Sequence, residues 1–260
     1  MITFFASEVL AQYDESTSSS EIGLTASYYR YEEPNFMNIK ATNIGLDYIG
    51  TLALNDNWFI RGDFIFTASG GTRYSSNGTG TMDNFPNCYV DIRPLFGRNL
   101  AFENSTLAPY MGLGYRYLYH DGRGTTSTGN PGYRRESNYL YLPVGFMHKM
   151  DLTEQSKLIT TIEFDCLLLG KQISRESDIN TLNSDITNTQ KFGYGARLLC
   201  MYRFNNWAIG PFLTYWHIDN SEIVSAKVID KNNIPTGENI YFIEPKNHTI
   251  EAGLKISYRF

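Results

Sequence analysis

The twelve residues from Thr249 to Phe260 alternate without a break, and no other stretch restricts the fold of this chain as tightly. Ile250, Ala252, Leu254, Ile256, Tyr258 and Phe260 fall on one side, and Thr249, Glu251, Gly253, Lys255, Ser257 and Arg259 on the other. Side chains repeat every two residues in a strand and every 3.6 in a helix, so this stretch is a strand with one apolar and one charged face.

The same pattern recurs upstream. Strands are expected at roughly 21–32, 39–54, 57–69, 87–100, 107–120, 137–150, 157–173, 189–204, 206–218 and 247–260. Their connections alternate in length. Those at Leu54–Asn57, Ala101–Thr106, Met150–Ser156 and Phe204–Asn206 are short, whereas those at Glu33–Asn38, Ser69–Pro86, Asp121–Glu136, Ser174–Asn188 and Asp219–Lys246 are mostly long and rich in Gly, Ser, Thr and Asn, which suits mobile loops. An even strand count puts both ends of the chain on the short-turn side.

The last strand, with Leu254, Ile256, Tyr258 and the aromatic Phe260, resembles the final strand of bacterial outer-membrane β-barrels, and the strand and loop layout resembles theirs as a whole. The resemblance implies an all-β fold: a closed antiparallel up-and-down transmembrane barrel of about ten strands, with short periplasmic turns and long extracellular loops. It also implies outer-membrane lipid as a partner, and a barrel-insertion machinery that reads Leu254, Ile256, Tyr258 and Phe260. Residues 21–260 then form one barrel domain. Residues 1–11, ending in Val9-Leu10-Ala11, have the look of a signal-peptide remnant, and 12–20 form a polar lead-in.

Composition fits this reading. A net charge of −5 argues against a nucleic-acid partner, and no apolar run is long enough for a transmembrane helix. The 19 Tyr and 16 Phe suit membrane interfaces, where aromatic girdles lie. Cys88, Cys166 and Cys200 have neither even count nor metal spacing. No cofactor or metal is expected.

The apolar faces hold Ile44, Leu46 and Tyr48, Ile60, Phe64 and Phe66, Ile92 and Phe96, and Ile162 and Phe164. The opposite faces hold Asp47, Arg61, Asp63, Asp91, Arg93, Arg116, Glu163, Asp165, Lys191, Arg197, Arg203, Glu251, Lys255 and Arg259. A soluble, fatty-acid-binding type of barrel has the same pattern turned inside out. Lipid on the outside is favoured by glycines on the charged face (Gly112, Gly114, Gly193, Gly195, Gly253) and by aromatics near strand ends (Trp58 and Phe59, Tyr202, Phe204 and Trp207, Tyr215 and Trp216). Inside a narrow barrel the charges must largely neutralise one another. A turn near Glu103 brings Asp91 opposite Arg116. The lumen is then either a salt-bridged filling or a narrow hydrated pore with a basic excess.

Arg61-Gly62-Asp63 spells an adhesion tripeptide, but mid-strand its charges face the lumen. The omptin proteases, ten-stranded outer-membrane barrels, use acidic residues and an Asp-His couple at the outer rim. Here the rim holds His120 with Asp121, His217 with Asp219, Asp178 and His248, and the order in His217-Ile218-Asp219 is reversed. A lipid-modifying barrel needs a Ser-His-acid set, which four histidines leave open, although no nucleophile elbow, phosphate loop or zinc-protease motif appears. Gly132 to Ser137 reads as an ordered loop base. These residues favour a non-enzymatic outer-membrane barrel with loops for surface contact or an extracellular ligand; the alternatives are a narrow channel for small polar or anionic solutes and, third, a barrel enzyme.

Overall fold

The computed structural model describes residues 18–181, 183–229 and 235–260. Ten strands form a closed antiparallel wall. They are Ser19–Glu33, Met37–Ala53, Trp58–Ser76, Asn87–Arg98, a fifth in two pieces (Ser105–Gly112 and Gly114–Thr125), Pro131–Thr153, Ser156–Ser174, an eighth in two pieces (Ile186–Gln190 and Gly193–Phe204), Trp207–Ile218 and Asn247–Arg259. Each pairs with the next, and the first pairs with the tenth from Glu21↔Arg259 to Glu32↔His248. That last pairing closes the ring and leaves no free edge for another chain to join. The expected signal remnant and most of the lead-in lie outside the described residues, and the first strand begins at Ser19, inside the stretch expected as lead-in.

At the end of the barrel where the described chain begins and finishes, the turns are tight. Asp56, Asn57 and Asn205 take left-handed backbone angles there, which short polar side chains tolerate. At the far end the strands run past their expected limits. The third continues to Ser76, crossing Gly71 at φ +58 with a register shift opposite Lys40 and Thr42. This is a bulge rather than a loop, so Gly70-Gly71 bends the strand without ending it. The hairpin tips then lock together: Ser127 N–H donates to the Thr81 carbonyl at 2.8 Å, and the Thr128 hydroxyl to that of Thr79 at 2.7 Å. Much of what composition marks as mobile loop is hydrogen-bonded sheet.

The alternation sorts the two faces as the ion-pair chemistry requires. Asp91 and Asp165 are fully buried, while Ile44 is 68% and Leu254 59% exposed. A soluble barrel would show the reverse, and an apolar belt of this extent is stable only against an apolar surrounding. Two girdle expectations are corrected. Phe59 and Trp216 point inward and are buried, because they sit on the opposite parity to Trp58 and Tyr215. The lumen is packed tightly enough that small residues matter. A Cβ on Gly114 would lie 2.1 Å from the Tyr141 ring, and one on Gly195 2.8 Å from Trp216.

Candidate functional site

Three layers of side chains fill the barrel along its axis. Nearest the chain ends, Arg203 pairs with Glu21, and Lys255 with Asp47. Above them Asp63 holds Arg61 at 2.6 Å and Arg93 at 2.8 Å, Arg93 reaches across to Glu163 at 2.6 Å, and Arg197 contacts Glu163 and Asp165 at 3.0 Å and Asp91 at 2.6 Å. Two tyrosines join the chain: Tyr110 donates to Glu163 at 2.8 Å and Tyr141 to Asp91 at 2.6 Å. Arg93 and Arg197 thus each bridge carboxylates from different strands. A third layer centres on Glu251, which accepts from Ser27 at 2.5 Å, Asn43 at 3.0 Å and Tyr89 at 2.8 Å. Beside it Arg116 lies over the Tyr89 ring at 4.3 Å, and Trp216 packs edge-on to Tyr141.

The expected lumen residues separate on this map. Asp47, Arg61, Asp63, Asp91, Arg93, Glu163, Asp165, Arg197, Arg203, Glu251 and Lys255 all enter the layers, and Arg259 lines the mouth at the chain ends. Asp91 does stand opposite Arg116 in register. Its ion pair, however, goes across the lumen to Arg197, and Arg116 turns to the aromatic faces, leaving its Nη2 without a hydrogen-bond partner. Lys191 is a correction. It is exposed at the far rim and pairs with Glu222 at 2.5 Å, because it lies in the break between the two pieces of the eighth strand, where the parity that would turn it inward is lost. Glu21 is the acid that the expectation lacked, although its position on the inward parity of the first strand was readable.

Above the filling the barrel opens into a cup of about 490 Å³. Its walls include Ile39, Tyr74, Met82, Phe85, Tyr133 and Ile186, and Arg135 lies on its floor between Glu33 at 2.5 Å and Glu244. Tyr31 donates to Glu33 at 2.9 Å. Burial, reinforced by the Glu33 charge and opposed by Arg135, pushes Glu244 up to about 7. His120 is buried beneath the cup, edge-on against Tyr31, with Nε2 unpartnered. The expected loop base at Gly132 to Ser137 is therefore part of a cup, with Arg135 beneath and Arg134 turned outward to Asp178 at 2.8 Å.

The rim pairs do not converge on this space. Asp121 bonds Arg123 at 2.6 Å and Tyr119 at 3.2 Å, away from its neighbour His120. His217 and Asp219 do meet, at 3.1 Å, but on the outward face of the wall. The three cysteines are free.

Against solved structures, the chain superposes on the outer membrane protease OmpT from Escherichia coli with a TM-score of 0.61 at 12% identity, covering 94% of this chain and 96% of that one. The fold is that of an outer-membrane β-barrel. A major outer membrane protein from Thermus thermophilus matches at a TM-score of 0.41 and 12% identity over 94% and 100% of the two chains. The translocator domain of the autotransporter NalP from Neisseria meningitidis matches at 0.43 and 8% over 95% and 90%. No family model matches the sequence, and no curated protein does. At these identities the likeness speaks to the barrel and not to its chemistry.

Proposed function

We propose that this protein is a non-enzymatic, integral barrel of the bacterial outer membrane that does not conduct, and that it makes its contacts through the cup and hairpins at its far end. The short turns and both described ends face the periplasm, the cup faces outward, and the outward row of Leu254, Ile256, Tyr258 and Phe260 is what the insertion machinery reads. The observation that carries this reading is the continuous set of ion pairs from Asp63 through Arg93, Glu163 and Arg197 to Asp91, in which Arg93–Glu163 and Arg197–Asp91 cross the lumen. Opening a path through them would leave buried charges unmatched, which is strongly unfavourable. Purified protein inserted into planar bilayers should give no conductance steps at moderate voltage. A second reading, a narrow channel for small anions, draws on the basic mouth at the chain ends, lined by Lys149, Lys157, Arg203 and Arg259. Regular anion-selective steps would favour that reading.

A further inference from the structure

On the outside of the wall, just below the far rim, the ninth and tenth strands set His217 directly opposite His248. Both rings face away from the lumen, since their neighbours Trp216, Ile218, Asn247 and Thr249 are buried inside. His217 Nδ1 lies 3.1 Å from His248 Nδ1, and the Tyr215 hydroxyl lies 2.7 Å from that same His248 nitrogen. An imidazole nitrogen has one in-plane position, filled by a proton or by a lone pair, so His248 Nδ1 makes both hydrogen bonds only as a donor shared between two acceptors. Two further donor atoms thus lie within 3.1 Å of one imidazole nitrogen.

The other side of His217 shows what its Nδ1 carries. Nε2 is 3.1 Å from the Asp219 carboxylate. A carboxylate accepts, so in the neutral ring the proton sits on Nε2 and the Nδ1 lone pair points at His248. A carboxylate behind a histidine is the arrangement that orients and strengthens metal-binding rings.

We propose that His217 Nδ1, His248 Nδ1 and the Tyr215 hydroxyl bind a divalent transition-metal ion of the Zn²⁺, Ni²⁺ or Cu²⁺ class. Two imidazole nitrogens bound at about 2.0–2.1 Å, with an angle of roughly 90–110° at the metal, lie roughly 2.8–3.4 Å apart, which includes the separation seen here. Imidazole donors select this class over Ca²⁺ and Mg²⁺, which take oxygen ligands. Among the described residues no three His, Cys, Asp or Glu side chains come together as ligands; here the third donor is a phenol, and water completes the shell. Asp219, with its carboxylate about half exposed, leaves the site open to the aqueous side. The site is independent of the lumen and the cup.

The test uses untagged, chelator-stripped protein folded in detergent and titrated calorimetrically with Ni²⁺ or Zn²⁺ alone. One equivalent should bind. His217→Ala and His248→Ala should each weaken binding at least tenfold, and Asp219→Asn about 10–100-fold. His148→Ala, on the sixth strand, should leave binding unchanged. The heat-dependent gel shift of each variant shows that it is folded. With Cu²⁺, electron paramagnetic resonance should report two nitrogen ligands in the wild type and fewer in either histidine variant. Absence of saturable binding, or binding equal to wild type in both histidine variants, overturns the assignment.

Discussion

The middle of the lumen and the cup above it use the same device, an arginine held between two carboxylates, with different consequences. Around Arg93 and Arg197 every partner is carried by a wall strand, so the geometry is as rigid as the sheet. Around Arg135, Glu33 comes from the first strand but Glu244 comes from the long connection before the tenth. Within that connection Glu244 is held by a two-way contact with Ser221, whose amide donates to the Glu244 carbonyl at 2.9 Å and whose hydroxyl accepts from the Glu244 amide at 2.8 Å. Where the sheet fixes all partners the charges act as a strut, and where one partner belongs to a connection they act as a latch.

Substitution of the two arginines should separate strut from latch. Arg197→Met strands Asp91, Asp165 and part of Glu163 in a closed lumen, and the expected loss is about 3–5 kcal/mol in urea unfolding from detergent. Arg135→Met also removes a shared cation, but Glu244 can take up a proton and its segment can lift away. Its cost should be smaller, about 1–3 kcal/mol. Equal losses would erase the distinction.

Protonation offers a finer probe. The docked Glu244 titrates at about 7, above the ordinary value of 4.5, so the docked state binds the proton more tightly than the undocked state. Stability from this group is therefore fully present below about pH 4.5 and is lost as pH rises through about 7. Amides of residues 239–246 should be better protected from hydrogen exchange at pH 5 than at pH 8, after correction for intrinsic rates. Glu244→Gln should flatten that difference. A profile unchanged by the substitution would place the pH response elsewhere in the cup.

The wall was legible because alternation is a local property: one residue step decides the face, which is how Arg61 and Asp63 could be turned inward from sequence alone. The cross-lumen partners were not legible. Cross-lumen contacts depend on how far the sheet shears before it closes, so register placed Asp91 beside Arg116 while closure brought Arg197 within reach. The cup was hidden for another reason. Gly70-Gly71 and Gly122 to Gly132 carry loop composition, yet Gly70 pairs with Thr42 and Gly124 with Gly132 in continuations of the wall hairpins. Glu244 left no periodic signal at all, being in a connection.

Two ion pairs across the lumen, Arg93 with Glu163 and Arg197 with Asp91, tie the adjacent-strand pairs of this barrel into one network. The most direct measurement is a pair of double-mutant cycles that share Asp91→Asn, one with Arg197→Met and one with Arg116→Met, read by urea unfolding in detergent. The account predicts a coupling of about 1–3 kcal/mol between Asp91 and Arg197, and a clearly smaller one between Asp91 and Arg116 despite their adjacency in the sheet. Coupling to Arg116 that equals or exceeds the coupling to Arg197 would contradict it.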